Sequence, residues 1–259
     1  MKRIILSTII AITICSTLQA QRIGLALFAA PSFTKVKYND FNTFAESYNA
    51  VNGFDLQGFT KMKANFSYGG DIYVGPIYWG LYYNRFKELT TPVKIDAYCE
   101  RQFNLRLHSI IANIGGNIGE GPFIISPYVA CGWTSLFLDA YMNYFDGDRR
   151  YYGNYKLDGT YRGNHMSIGF GLKTTYLLKP FYVSLGFTKL YSAWVGPFIH
   201  DFGEKGNPVL GGGYTELGTD WATFTSNGSY NYKGEYMTSS VKQFTIQLSA
   251  GIFLGNPEN

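Results

Sequence analysis

Gln243-Phe244-Thr245-Ile246-Gln247-Leu248-Ser249-Ala250-Gly251-Ile252 alternates apolar residues with polar or glycine residues from end to end. Successive side chains of a β-strand point to opposite faces, so this segment reads as a strand with one apolar face and one polar or small face. The same rhythm recurs upstream. Ile23, Leu25, Leu27 and Ala29 alternate with Gly24, Ala26, Phe28 and Ala30, and Phe66, Tyr68, Ile72 and Val74 alternate with Ser67, Gly69, Asp71 and Tyr73. Ile77, Trp79 and Leu81 do so with Tyr78, Gly80 and Tyr82; Phe103, Leu105 and Leu107 with Asn104, Arg106 and His108. Val129, Cys131 and Trp133, then Met166, Ile168, Phe170 and Leu172, then Phe181, Val183, Leu185 and Phe187 complete the set. The expectation is eight strands.

The connections alternate in length. Gly75-Pro76, Asn117 to Pro122 and Leu178 to Pro180 are tight turns, with glycine and proline where turn geometry favours them. The segments Tyr38 to Ala64, Glu88 to Glu100, Leu138 to Arg162 and Gly196 to Thr238 are long. Antiparallel strands with a two-residue polarity repeat, short turns at one end and long loops at the other describe an up-and-down transmembrane β-barrel. Only a closed barrel satisfies every strand hydrogen bond inside lipid. The expected fold is therefore all-β, with short periplasmic turns and long extracellular loops. Asp158-Gly159 and Asn227-Gly228 are hairpin signals, and the count becomes ten if the last loop crosses again.

Composition agrees with this class. The 259 residues are 46% hydrophobic and 18% aromatic but only 15% charged, against about 25% in an average soluble domain. Residues 1–20 form a signal peptide, with Lys2 and Arg3 ahead of the apolar run Ile4 to Cys15 and a small residue at Ala20; the barrel domain is 21–259. That run is about 12 residues, short of the roughly 20 a membrane helix needs. Losing Lys2 and Arg3 lowers the formal charge of +4 by two. The remaining basic residues are dispersed, which excludes a nucleic-acid-binding face.

The faces assign candidate residues. Asp71, Arg106 and Lys173 fall in the polar set near mid-strand, and buried charges need partners, so a lumen charge network of these three is expected to plug the interior. Tyr78, Tyr82, Phe123, Tyr176 and Tyr182 on the turn side, with Phe137, Tyr141, Tyr191 and Trp194 on the loop side, are expected to form interfacial aromatic girdles. A turn centred near Gly119 puts Cys131 opposite Leu107 and Cys99 opposite Phe137 or a near neighbour, too far apart for a disulfide. Trp221, Tyr230, Tyr232 and Tyr236 in the last loop are candidate contact residues for a protein partner. No metal-ligand spacing, phosphate loop or dinucleotide fingerprint occurs, and no cofactor is expected.

The signal peptide, the eight amphipathic strands, Ser126-Pro127-Tyr128-Val129-Ala130-Cys131-Gly132 and a last strand ending at Phe253 resemble the small outer-membrane β-barrel proteins, among them the OmpA transmembrane domain, OmpX and the PorT-like barrels of Bacteroidetes. The resemblance implies an outer-membrane location with periplasmic termini. It also implies contact with outer-membrane lipids and lipopolysaccharide, and insertion by the barrel-assembly machinery, which reads a terminal aromatic. Here Leu254 to Asn259 follow Phe253. A structural or surface-interaction role, without catalysis, is the expectation. Three alternatives stand beside it: a lipid A-modifying hydrolase, a narrow channel and a soluble secreted β protein. The hydrolase reading rests on His165-Met166-Ser167, which resembles the His-x-Ser pair of barrel deacylases, although both residues share the inward parity of Gly169 and Gly171.

Overall fold

The computed structural model describes residues 23–119, 121–144, 149–150, 159–178, 180–196, 199–201 and 238–256. In chain order the elements are β1 (Ile23–Lys37), helix α1 (Asn39–Asn52), β2 (Met62–Val74), β3 (Ile77–Leu89), β4 (Val93–Lys94), β5 (Cys99–Gly116) and β6 (Phe123–Tyr144). They continue with β7 (Arg149–Arg150), β8 (Gly159–Leu178), β9 (Phe181–Val195), β10 (Ile199–Asp201) and β11 (Lys242–Asn256). Eight of these, β1, β2, β3, β5, β6, β8, β9 and β11, pair in antiparallel sequence, and β6 with β8 and β1 with β11 leave no open edge. The short strands β4, β7 and β10 extend the wall on the loop side.

Closure fixes the strand tilt. From Met166 the directly opposed residues run Trp133, Ile110, Tyr83, Tyr68, Ala29, Ala250, Val183 and Tyr176, returning to β8 ten positions from the start. A stagger of that size over eight strands spaced about 4.8 Å apart tilts the strands by roughly 40°. One circuit then climbs about 25 Å, the height of the lipid-facing band of a membrane barrel. Every residue on the circuit faces outward, and Leu81 and Phe170 beside it are 57% and 61% exposed. So large a continuous apolar surface does not face water in soluble proteins.

On the loop side the polarity of the wall inverts. Ile110, Ala112 and Ile114 of β5 point out, but Phe103, Leu105 and Leu107 point in and are fully buried. On β6 Val129, Cys131 and Trp133 point out whereas Leu136, Leu138 and Ala140 point in. Parity does not slip on these two strands; the apolar residues change sides, because beyond the band the outside is water and the inside is a core. That core takes in α1. Phe41, Phe44, Ala45 and Tyr48 fall at helical i, i+3, i+4, i+7 spacing and pack with Phe59, Phe86, Phe103 and Leu138. Phe41 lies 4.5 Å from Phe59 and 5.2 Å from Phe103 between ring centroids. Gly53, at φ 67° in the left-handed region, ends the helix and donates its N–H to Asn49 O at 2.8 Å. The Asn49 amide then holds the returning chain through both backbone groups of Leu56, at 2.7 and 2.9 Å.

Several expectations need correction. The segment Tyr38 to Ala64, read as a loop, carries α1. Tyr78, Tyr82 and Tyr182 are buried in the lumen instead of lying in a girdle, and Tyr141 is buried against Gln102; Phe123, Tyr176, Tyr191 and Trp194 do sit on the outer surface. The β5–β6 turn is centred beyond Gly119, so Cys131 opposes Ala112 and Cys99 opposes Tyr144, thirteen positions apart along β5. No disulfide joins them. Residues 1–22, holding the expected signal peptide, and the Asn227-Gly228 hairpin signal lie outside the described residues.

Candidate functional site: a filled lumen and a polar outer wall

The lumen is packed in three layers. Near the turn end Lys173 of β8 forms an ion pair with Asp71 of β2, both buried. Tyr78 Oη donates to Asp71 Oδ1 at 2.8 Å, and the Lys173 ammonium lies 4.9 Å from the Phe28 ring centroid. Tyr128 and Tyr82 share hydrogen bonds with Thr188 Oγ1 at 2.7 and 3.1 Å, and Tyr73 reaches Thr175 Oγ1 at 3.4 Å. Small residues make this possible. A Cβ on Gly80 would stand 2.6 Å from Tyr78 Oη and 2.9 Å from Asp71 Oδ1, and one on Gly171 would enter the Tyr128 ring.

Above lies a hydroxyl and amide layer. Ser67 Oγ donates to Ser32 Oγ at 3.1 Å and to Asn84 Oδ1 at 3.2 Å, and Thr34 is linked to Thr245, Asn65 and Asn84 at 2.9–3.3 Å. Ser109 and Thr134 pair at 2.8 Å on the facing wall. The apolar core around α1 closes the loop end. Its lid is fastened by Asp40, whose Oδ2 accepts from Thr238 N at 2.8 Å and from Thr238 Oγ1 at 2.7 Å, and by Tyr38 Oη, which donates to Thr238 O at 2.8 Å. Burial pushes the Tyr38 phenol well above its ordinary pKa, with the Asp40 charge adding to the effect.

His165 and Ser167 both point into the lumen and are about 1% exposed, while Met166 and Ile168 face outward. Ser167 Oγ donates to Gly132 O at 3.3 Å, and His165 Nδ1 has no hydrogen-bond partner among the described residues. The arrangement holds no hydroxyl–imidazole pair facing lipid, as acyl hydrolysis there would require. No cluster of three or more His, Cys, Asp or Glu suited to a metal ion occurs among the described residues.

Of the three charges expected in the lumen, Asp71 and Lys173 meet and Arg106 does not join them. Arg106 points outward, because it lies in the part of β5 where polarity has inverted and the wall stands in water. There its Nη2 donates to Asp139 Oδ1 at 2.8 Å, and Asn104 and Thr160 also donate to Asp139 at 2.8 and 2.9 Å. The guanidinium lies 5.2 Å from the Phe137 ring centroid, and that of Arg162 stands at the same distance. Sequence reasoning missed this outer polar wall. The signal available was the switch of apolar residues from even to odd numbers between Ile110 and Leu107. Trp221, Tyr230, Tyr232 and Tyr236 lie outside the described residues.

No family model matches the chain, and no curated protein matches it. Among solved structures it is similar to Ail, the attachment invasion locus protein of Yersinia pestis, crystallised with the heparin analogue sucrose octasulfate. The TM-score is 0.44 at 11% identity, covering 90% of this chain and 99% of that one. It is also similar to the outer membrane protease OmpT of Escherichia coli, with a TM-score of 0.42 at 12% identity over 91% of this chain and 97% of that one.

Proposed function

We propose that this chain is an integral outer-membrane β-barrel with a structural or surface-interaction role, its short turns in the periplasm and its helix-capped end outside the cell. The observation that carries the reading is the closed eight-stranded wall with an outward apolar band about 25 Å high, beyond which polarity inverts on β5 and β6. A soluble secreted protein has no use for such a band. The filled lumen opposes conduction, since a pore would have to cross the Asp71–Lys173 pair, the tyrosine layer and the apolar core. Binding, on this reading, belongs to the loops, with Trp221, Tyr230, Tyr232 and Tyr236 as contacts for a protein partner. Outer-membrane lipids, lipopolysaccharide and the barrel-assembly machinery are the partners that membrane insertion requires.

Extraction from the outer-membrane fraction followed by gel electrophoresis with and without boiling tests the proposal. A heat-dependent mobility shift, with no single-channel conductance after planar-bilayer insertion, is the expected result. Recovery in the soluble fraction without a shift overturns the membrane reading, and stable conductance overturns the closed lumen.

A further inference from the structure

The seam that closes the barrel is interrupted at a proline. Along β1 and β11 the opposed residues run without a break from Ile23 opposite Asn256 to Ala29 opposite Ala250, and again from Ser32 opposite Gln247 to Lys37 opposite Lys242. The register is the same on both sides of the break, so no residue is inserted there; Ala30 and Pro31 are simply unpaired with β11, although both keep their partners on β2, Ser67 and Phe66. Proline has no N–H to give. Because the β2 ladder passes through Pro31 intact, the missing donor faces β11, where this register assigns it to Leu248 O. Among the described residues nothing else donates to that carbonyl. With a rise of about 2.5 Å per residue along the barrel axis, Pro31 and Leu248 stand roughly 11–14 Å above Tyr176, half-way up a band about 25 Å high. Hydrocarbon offers no donor at that depth. Pro127, the other proline in a barrel strand, is no equivalent, since its missing donor falls at the turn end of the β5–β6 ladder, whose last pair is Gly115 opposite Tyr128.

The wall around this carbonyl is low on the lipid side. The outward residues flanking Leu248 at the break are Ala29, Pro31 and Ala250, all small or compact. From the Ala29–Ala250 pair a groove of about 460 Å³ runs along the outer wall toward the turn end, lined by the backbone of Gly69 and Gly251 and flanked by Leu27, Ile252 and Leu254. Its size is that of a small-molecule site, about 300–1,000 Å³. No charged or polar side chain lines it. On the lumen side the break is closed by Ala30 and Ser249, both buried; Ser249 Oγ has no hydrogen-bond partner among the described residues, but its side chain points inward, away from the groove.

From this we infer that the β1–β11 seam is a binding site for a compact, neutral, apolar molecule dissolved in the membrane and carrying a single hydroxyl or N–H donor, with its apolar body in the Ala29–Ala250 groove and its donor on Leu248 O. The lone acceptor sets the polar half of that chemistry, and the groove sets the apolar half. Depth sets the rest. Half-way up the band a charged or zwitterionic headgroup would be stranded in hydrocarbon, so the bulk lipids cannot bring a donor to this carbonyl, whereas a neutral molecule lying wholly within the bilayer can. The inference rests on the reading of the wall as membrane-embedded.

The test is carbonyl NMR of the chain refolded into phosphatidylcholine nanodiscs with carbon-13 at the leucine carbonyls, Leu248 being assigned by the resonance lost in Leu248→Ile. The probe is 2-naphthol, and 2-methoxynaphthalene, of similar shape but without a donor, is the comparison. The variants are Pro31→Ala, which restores the N–H, Ala250→Leu, which fills the groove, and Ala112→Leu on the outward face of β5. The Leu248 carbonyl should resonate apart from the ladder leucines and move toward them saturably as 2-naphthol is added. A hydrogen bond to a group otherwise unpaired in an apolar medium is worth at least about tenfold in affinity, so the methyl ether should bind weaker by that factor. Pro31→Ala should bring the resonance to the ladder position without probe and erase the difference between the two compounds. Ala250→Leu should weaken both, and Ala112→Leu should match the parent. A Leu248 carbonyl already at the ladder position in the parent, whether water or Ser249 Oγ holds it, overturns the inference; so does equal binding of the two compounds, or a difference that survives in Pro31→Ala. Each preparation is first checked for the heat-dependent mobility shift. A shifted protein without donor-dependent binding refutes the site alone, whereas absence of the shift refutes the barrel reading.

Discussion

Asp71→Ala should be the most damaging single change among the polar residues of the lumen. The carboxylate is 1% exposed and touches the Lys173 ammonium, whose side chain is 6% exposed. Removing one member of such a buried pair costs about 3–5 kcal/mol, because the other charge stays desolvated. The Phe28 and Tyr78 rings, 4.9 and 5.8 Å from Lys173 Nζ, still attract the ammonium. Cation–π contacts return only about 1–2 kcal/mol. The Tyr78 hydroxyl meanwhile loses the acceptor it holds at 2.8 Å. That adds about 1 kcal/mol. A net loss of roughly 3–4 kcal/mol follows for Asp71→Ala, and about 3 kcal/mol for Lys173→Met, whose stranded carboxylate keeps the Tyr78 hydrogen bond. Asp71→Ala/Lys173→Met strands no charge and should lose no more than about 2 kcal/mol, so the cycle should show a coupling of at least about 3 kcal/mol. Urea unfolding in phospholipid vesicles, followed by tryptophan fluorescence and the mobility shift, gives all four corners. Additive single changes, or an Asp71→Ala loss under about 1 kcal/mol, would refute the claim that the pair organises the lumen.

Phe103→Ala, in the core around α1, should cost about 3–5 kcal/mol, whereas Ile110→Ala on the lipid-facing side of the same strand should cost under about 1 kcal/mol; equal losses would remove the argument for inverted polarity. Asp55→Cys, exposed after α1, should react with an impermeant maleimide on whole cells, and Gly121→Cys in the turn should not; the reverse pattern would mean the opposite orientation. Cys131, exposed on the outward face, should be alkylated in membranes by a lipophilic maleimide but spared by a sulfonated one, and attack by both would place it in water. In the β4–β5 turn Asp96 accepts from Tyr98 N at 2.6 Å and Cys99 N at 2.9 Å, and the Tyr98 hydrogen bond leads in holding its carboxyl below the usual value. The depressed folded-state value means that this ordering is complete above the ordinary carboxylate pKa and is lost as pH falls through the lowered one; Tyr98 amide exchange that does not accelerate in that acid range would show that Asp96 plays no part.

The barrel was legible because its band obeys one rule along every strand. Phe244, Ile246, Leu248 and Ile252 all face lipid, and alternation reports that directly. The ion pair was legible for the same reason, since Asp71 and Lys173 are opposite charges in the inward set near the turn end of a narrow barrel, whereas the other buried inward charges, Glu88 and Arg101, lie at its loop end. Arg106 was misplaced because alternation gives the two faces without saying which one is wet. Leu107 and Ile110 are both apolar, and only their opposite parity marks where the environment changes. The helix was overlooked because a long stretch between strands reads as a loop, although Phe41, Phe44, Ala45 and Tyr48 carry helical spacing. The outward pairing of Lys87 with Arg106 was invisible in one dimension: the two become neighbours only through the β3–β5 register.

The asymmetry between the two ends of the wall also bears on how the molecule rides in membranes of unequal thickness. Lys35, Lys37, Lys189, Lys242, Arg85, Lys87 and Arg106 stand at one rim, where in a bilayer they would be held at the headgroups, whereas the other rim carries Leu25, Val74, Ile77, Phe123 and Phe181 with no charge among them. Adjusting to a thinner or thicker bilayer costs fractions of a kcal/mol per Å of mismatch. The uncharged rim can slip along the lipid at that cost, and the charged rim cannot without dragging its cations out of the interface. In the orientation proposed here, the barrel behaves like a float hung from its charged rim: thickness changes are taken up on the turn side, while the helix-capped end keeps a constant height above the membrane.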